Sequence, residues 1–181
     1  MSASVVLSSE SVKPSASAAP LGLAGFAVTT ILLSSVNAHF IPETSIAAIV
    51  PLAFAYGGIG QVITGILEFR NGNTFGTAAY SSFGLFWIWY ALLQWTVGAG
   101  WLKAPPPEAI GAALFIWGLF ALGLWFATFR TNFVVWTMFL ALWVTFFLLG
   151  AASYGMPTGI REDGRVWSWG LKRSICPLPT S

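Results

Sequence analysis

The placement of charge constrains this chain more than any other feature. Eight Lys and Arg and six Asp and Glu are spread over 181 residues so that five runs carry none, residues 14–42, 44–67, 71–102, 109–129 and 131–160. Each run has room for the roughly 20 apolar helical residues that cross about 30 Å of hydrocarbon. Charged residues make up 8% of the chain and hydrophobic ones 56%, whereas an ordinary soluble domain has about 25% charged residues. The fold class expected is all-α, a polytopic transmembrane helical bundle of five spans. They are placed at residues 21–39, 46–67, 76–98, 109–129 and 132–152, with ends good to about two to four residues. Pro42-Glu43, Asn71-Gly72-Asn73, Ala104-Pro105-Pro106-Pro107 and Arg130-Thr131-Asn132 interrupt the hydrophobic pattern with turn-forming or helix-ending chemistry.

Residues 1–20 are rich in Ser and Ala and read as a flexible arm, residues 21–152 as one bundle, and residues 153–181 as a polar tail broken by Pro177 and Pro179. Lys13, Arg70 and Arg130 fall on one side of the spans against Lys103 on the other. The positive-inside rule therefore puts the N-terminus in the cytoplasm. Five spans then leave the tail outside, yet it carries Arg161, Arg165, Lys172 and Arg173, the reverse of what the rule requires.

Many functions are poorly served by such a chain. No basic face remains for nucleic acid. One cysteine, Cys176, and one histidine, His39, make neither a disulfide nor an all-protein zinc or bis-histidine haem site. Phosphate loops, nucleophile elbows and HExxH motifs are absent from the sequence, and the carboxylates are too sparse for a paired acid–base centre. No catalytic residue, cofactor or metal site is expected, and the protein is not expected to be an enzyme. A solute path, an assembly or sensing role, or an inert membrane scaffold remains.

Inside a bilayer the informative side chains are those that lose hydration by being there. Gln61, Thr64 and Glu68 fall at i, i+3 and i+7 of the second span, one helical stripe able to line a wet path. The alternative is that Glu68 sits at the membrane surface beside Arg70 while Gln61 and Thr64 bond neighbouring helices. Gly57, Gly58, Gly60 and Gly65 favour close helix packing in either case. His39, between Asn37 and Glu43, is a proton-sensitive group or an ordinary interfacial residue. Some of the ten Trp suit interfacial belts, and those nearer mid-span suit packing or lipid contact.

Three blocks in order resemble the acetate uptake transporter family, which includes the succinate-acetate permeases. They are Ala19-Pro20-Leu21-Gly22-Leu23-Ala24-Gly25-Phe26, the stretch YGGIGQVITGILEFRNGNTFG at residues 56–76, and Ser82-Phe83-Gly84-Leu85-Phe86-Trp87. The resemblance covers residues 17–152. It implies six helices per subunit, a hexamer in the cell membrane (the inner membrane in a bacterium), and a separate path in each subunit for acetate and related short carboxylates, succinate included. Proton coupling and channel-like anion conduction are both compatible with it. It also implies a hydrophobic constriction at Phe26, Phe83 and Leu142, with Thr29, Thr30, Gln61, Thr64, Glu68, Ser81 and Ser82 available to replace part of a carboxylate's hydration.

The chain departs from the family pattern in three places. Phe83 stands where many relatives have tyrosine, and Ser17-Ala18 where the family has Asn-Pro. After Gly150, in place of a sixth apolar span, it reads Arg161-Glu162-Asp163-Gly164-Arg165. The abrupt switch and the violated charge rule predict an altered reading frame or truncation near residues 155–160. The function expected is a membrane transporter or channel for short monocarboxylates, impaired if the missing span matters. The alternatives are a non-transporting assembly or sensing protein, and a channel for small neutral solutes such as the undissociated acid.

Overall fold

The computed structural model describes residues 16–156. The expected arm up to residue 15, and the tail from residue 157 with its charge reversal and proposed frame change, lie outside the described residues. Five helical spans follow in order: α1 (Ala19–Asn37), α2 (Glu43–Arg70), α3 (Thr74–Gly98), α4 (Pro107–Ala127, continued by the 3-10 turn Thr128–Arg130) and α5 (Phe133–Ser153). Among the described residues there is no strand. α1, α2, α5 and α4 with its 3-10 turn are long and apolar enough to cross a membrane. α3 is long enough as well, at 25 residues, but Tyr80, Ser81, Ser82, Trp87, Trp89, Tyr90 and Gln94 make it the most polar span, in keeping with its central, most buried position.

The boundaries follow local chemistry. Pro20 and Pro107 occupy the first turns of α1 and α4, where a missing N–H costs nothing. Asn73 and Asn132 cap α3 and α5, their side-chain oxygens accepting from the N–H groups of Gly76 at 2.9 Å and Val135 at 3.0 Å. α2 and α3 end on left-handed glycines, Gly72 and Gly100 (φ +74° at each). In both, the glycine N–H returns to the carbonyl three residues back and the next N–H to the one five back, as in Gly72 to Phe69 and Asn73 to Glu68. α1 ends the same way, but there the left-handed residue is His39 (φ 58°). A helix terminator is the role the structure gives that histidine.

α2 is composite, with a 3-10 first turn (Glu43–Ser45), an α segment (Ile46–Leu52), a π segment (Ala53–Gly60) and a second α segment (Gln61–Arg70). Pro51 has no N–H to donate, and the widened turns follow directly behind it. The π segment carries the glycines where neighbours come closest. A Cβ on Gly57 would lie 2.9 Å from the Thr29 side chain, and one on Gly84 of α3 would lie 2.8 Å from the Gly58 carbonyl oxygen. α1, α2 and α3 thus close into one tight unit. α4 and α5 pair along their length past Gly111, Gly118 and Gly150. The two units meet through long rings instead of close backbones, with Phe83 and Phe86 of α3 against Trp117 of α4 and Phe146 of α5. Ile31, Ile66, Leu85, Ile116, Leu119 and Val134 stay exposed, the outward apolar faces of a chain solvated by lipid. Trp101 and Trp95 are exposed near the end of α3 and Trp87 is buried, so belt and packing roles are divided among the tryptophans.

Candidate functional site

A cavity of about 420 Å³ opens at the end of the bundle where α1 begins and the α2–α3 and α4–α5 turns meet. Leu23 and Phe26 line it from α1, Gln61 from α2, and Asn73, Phe75, Gly76, Ala79, Tyr80 and Phe83 from the start of α3. Ala127, Thr131 and Asn132 supply the opposite rim, and Val135, Met138, Phe139 and Leu142 descend α5. Among the described residues the wall carries no charged side chain. From Asn73 to Phe83 the site is about 15 Å deep along α3.

Its floor is aromatic. Phe83 is 3% exposed, and its ring lies 6.0 Å from Phe26, 6.0 Å from Trp117, 5.8 Å from Phe120, 6.1 Å from Phe139 and 6.3 Å from Phe146. Leu142 packs against the same cluster. All three residues of the expected constriction therefore stand in one wall, drawn from three helices.

The rim is polar and mostly engaged. The Thr131 hydroxyl donates to Thr128 O at 2.7 Å, and the side-chain oxygens of Asn73 and Asn132 are spent on their caps. Because both caps face this mouth, the N-terminal ends of α3 and α5, each with a partial positive charge, flank the opening. Deeper in, Gln61 is 1% exposed and its Oε1 has no hydrogen-bond partner among the described residues, an arrangement that costs about 1–3 kcal/mol unless a solute or water meets it.

Of the other polar residues expected on the path, none lines this cavity. The hydroxyl of Thr29 donates to Gly25 O at 2.7 Å, and that of Thr64 to Gly60 O at 2.9 Å; both side chains pack α1 against α2, Thr29 at Gly57 and Thr64 at Gly22. Ser81 fills the space beside Gly65. Ser82 is half-buried on α3, outside the wall. Thr30 is half-buried, and its hydroxyl oxygen is buried without a partner among the described residues. The stripe Gln61, Thr64 and Glu68 does share one buried face, but its members point to three different neighbours, and only Gln61 reaches the cavity.

Glu68 is the largest correction. It does not line this cavity, and among the described residues it does not pair with Arg70. Buried at 2% exposure, its Oε1 accepts from Ser17 Oγ at 3.0 Å and from the backbone N–H groups of Ala18 at 2.8 Å and Ala19 at 3.1 Å. Its Oε2 accepts from Asn73 Nδ2 at 2.6 Å. A carboxylate thus takes up the free N–H groups at the start of α1, where its charge also favours the helix dipole. Ser17, in the place of the family's Asn, still bonds this carboxylate, and Ala19-Pro20 are helical, so the last residues of the expected arm are docked.

Asn73, Tyr80, Thr131 and Asn132 were absent from the residues expected at the site. For the two asparagines a signal existed. Each directly precedes a helix entering from the same side of the membrane, and caps of such helices share one mouth. Tyr80 stands three residues before Phe83, and helical periodicity places it on a neighbouring face.

A five-span bundle with an aromatic-floored vestibule that is uncharged among the described residues suits a membrane transport protein. Residues 3–169 match the model of the GPR1/FUN34/yaaH family, and the chain belongs to that family; the match continues past Gly150, where the three-block resemblance stops. The chain is 39% identical over 138 residues to the succinate-acetate/proton symporter SatP of Escherichia coli strain K12, covering 76% of this chain and 72% of that one. It is 38% identical over 144 residues to acetate permease A of Emericella nidulans, covering 75% and 48%. The solved structure of the bacterial acetate channel SatP superposes with a TM-score of 0.76 at 36% identity, over 81% of this chain and 80% of that one.

Proposed function

We propose that this protein carries acetate and related short carboxylates across a membrane, through the vestibule and past the ring of Phe26, Phe83 and Leu142. The observation that carries the reading is Gln61, a buried amide with an unpartnered oxygen in an otherwise apolar wall, just where a solute must shed water. Two capped helix N-termini draw an anion to the mouth without holding it, and the absence of Lys and Arg from the wall favours easy release. The apolar ring blocks hydrated inorganic ions by dewetting. Transport rather than catalysis suits a wall with no nucleophile–base pair. From the family resemblance and the placement of Lys and Arg on the α2–α3 and α4–α5 turns, we propose further that the working form is a homo-oligomer, a hexamer, in the inner membrane of a bacterial cell with the vestibule facing the cytoplasm.

Uptake of labelled acetate into liposomes containing the folded chain tests the reading; saturable flux above protein-free liposomes is expected, and none from folded protein overturns it. The uncharged wall also favours a second reading, passage of the undissociated acid. At fixed total acetate its flux falls about tenfold per pH unit above the acid's pKa, whereas anion conduction does not.

A further inference from the structure

Besides the Gln61 amide, one hydroxyl on the cavity wall stays uncommitted among the described residues, that of Tyr80, between rim and floor. Tyr80 is half-buried, its ring lines the cavity, and no described group bonds its hydroxyl. The ring is held in place by what α1 lacks: a Cβ on Gly22 would lie 2.6 Å from Tyr80 Cδ1 and 2.8 Å from Cε1. Asn73, Thr131 and the oxygen of Asn132 are already committed, so among the rim groups a free donor hydroxyl belongs to Tyr80. Phe83, the floor residue, stands three positions further along α3, about 4.5 Å deeper, and has no hydroxyl.

Resting on the transport reading, we propose that Tyr80 is the residue that selects the substrate: its hydroxyl donates to the carboxylate one helical turn above the floor, and the carbon tail hangs into the pocket of Met138, Phe139 and Leu142. The backbone rise of about 4.5 Å from Tyr80 to Phe83 sets the scale of the apolar depth below the carboxylate, of the order of a three-carbon tail. Monocarboxylates of three or four carbons fit it well. A dicarboxylate would bring its second charge against Phe26, Phe83 and Phe139 with the Gln61 amide alone to meet it, and burying a poorly paired charge is strongly unfavourable.

The test is equilibrium binding to the full chain in detergent, followed by tryptophan fluorescence because Trp117 packs on Phe83. Acetate, butyrate and succinate are compared in the parent, Tyr80→Phe, and the double variant Tyr80→Phe with Phe83→Tyr. Expected is parental binding of butyrate well above succinate, and a Kd for both monocarboxylates raised about tenfold or more in Tyr80→Phe, the loss of a hydrogen bond to a charged group. The double variant moves the hydroxyl a turn deeper and should recover acetate but not butyrate. An unchanged Kd in Tyr80→Phe, or succinate bound as tightly as butyrate by the parent, overturns the proposal. Thermal unfolding of each variant separates lost binding from lost fold, and the double variant keeps the same atoms in total. Parental binding without liposome flux sinks the transport reading alone; folded parent that binds no carboxylate sinks both.

Discussion

Glu68→Gln isolates the carboxylate that holds the start of α1. Glutamine has the same shape, so its amide oxygen can stay opposite Ser17 Oγ and the Ala18 and Ala19 N–H groups, which lie at 3.0, 2.8 and 3.1 Å from Oε1. Its NH2 then replaces Oε2 and faces Asn73 Nδ2, now 2.6 Å from that oxygen, donor against donor. Asn73 cannot turn its own amide to oblige, because its oxygen caps α3 through the Gly76 N–H. A buried unsatisfied donor costs about 1–3 kcal/mol, and three charge-assisted bonds fall to roughly half their strength. We expect a loss of about 3 kcal/mol, measured by denaturant unfolding of the purified chain in detergent, with faster amide exchange at Ala18 and Ala19. Asn73→Asp alone should destabilise similarly, by setting two carboxylates face to face. The pair together restores a donor–acceptor contact in the reverse sense, the amide at 68 donating to the carboxylate at 73, which still caps Gly76. Most of the stability should return. Glu68→Gln within about 0.5 kcal/mol of the parent, or a double variant as unstable as the sum of the singles, would refute this account. Leu23 and Phe26 wall the cavity from the same helix, so uptake should fall in Glu68→Gln and recover with the pair.

Gly84→Ala should cost about 2–3 kcal/mol, because the new methyl meets the Gly58 carbonyl oxygen and the Val62 nitrogen at 2.8 Å and backbone cannot swing aside; Gly123→Ala, with nothing within 4 Å, should be neutral or slightly stabilising in the same melts. Phe83→Ala should lose about 3–5 kcal/mol and admit larger acids, and unchanged size discrimination in a folded variant would count against the constriction. His39→Gly should gain about 1 kcal/mol by relieving a left-handed non-glycine residue while leaving the pH profile of uptake unaltered; a changed profile would return His39 to the candidates for proton sensing.

Much of the architecture was legible because charge is so costly in hydrocarbon that its placement marks where helices can cross. Helix ends were readable for local reasons too, Asn73, Pro107 and Asn132 acting through their own backbone conformations or short-range bonds. The expected spans begin and end within a few residues of the observed helices, the second opening three residues earlier at Glu43 in a 3-10 turn and closing at Arg70. The π segment behind Pro51 was not legible: each widened turn shifts the register that a uniform period of 3.6 assumes. In the site, Phe26, Phe83 and Leu142 came from motif resemblance, and geometry then put them in one wall.

What the sequence determined by itself was the set of local choices, namely which stretches are helical, where they stop and which faces avoid water, because each depends on neighbours within about a turn. Tertiary structure alone decided which polar groups are free. Thr64 and Gln61 look alike on a helical wheel, yet one hydroxyl closes on its own helix and the other side chain's oxygen is left open to the cavity. Glu68 reads as a path residue until Ser17, Ala18 and Ala19 arrive from some 50 positions away. A hydrogen bond is satisfied by whichever partner lies within about 3 Å, and that distance is set by how helices pack, a property of the whole bundle.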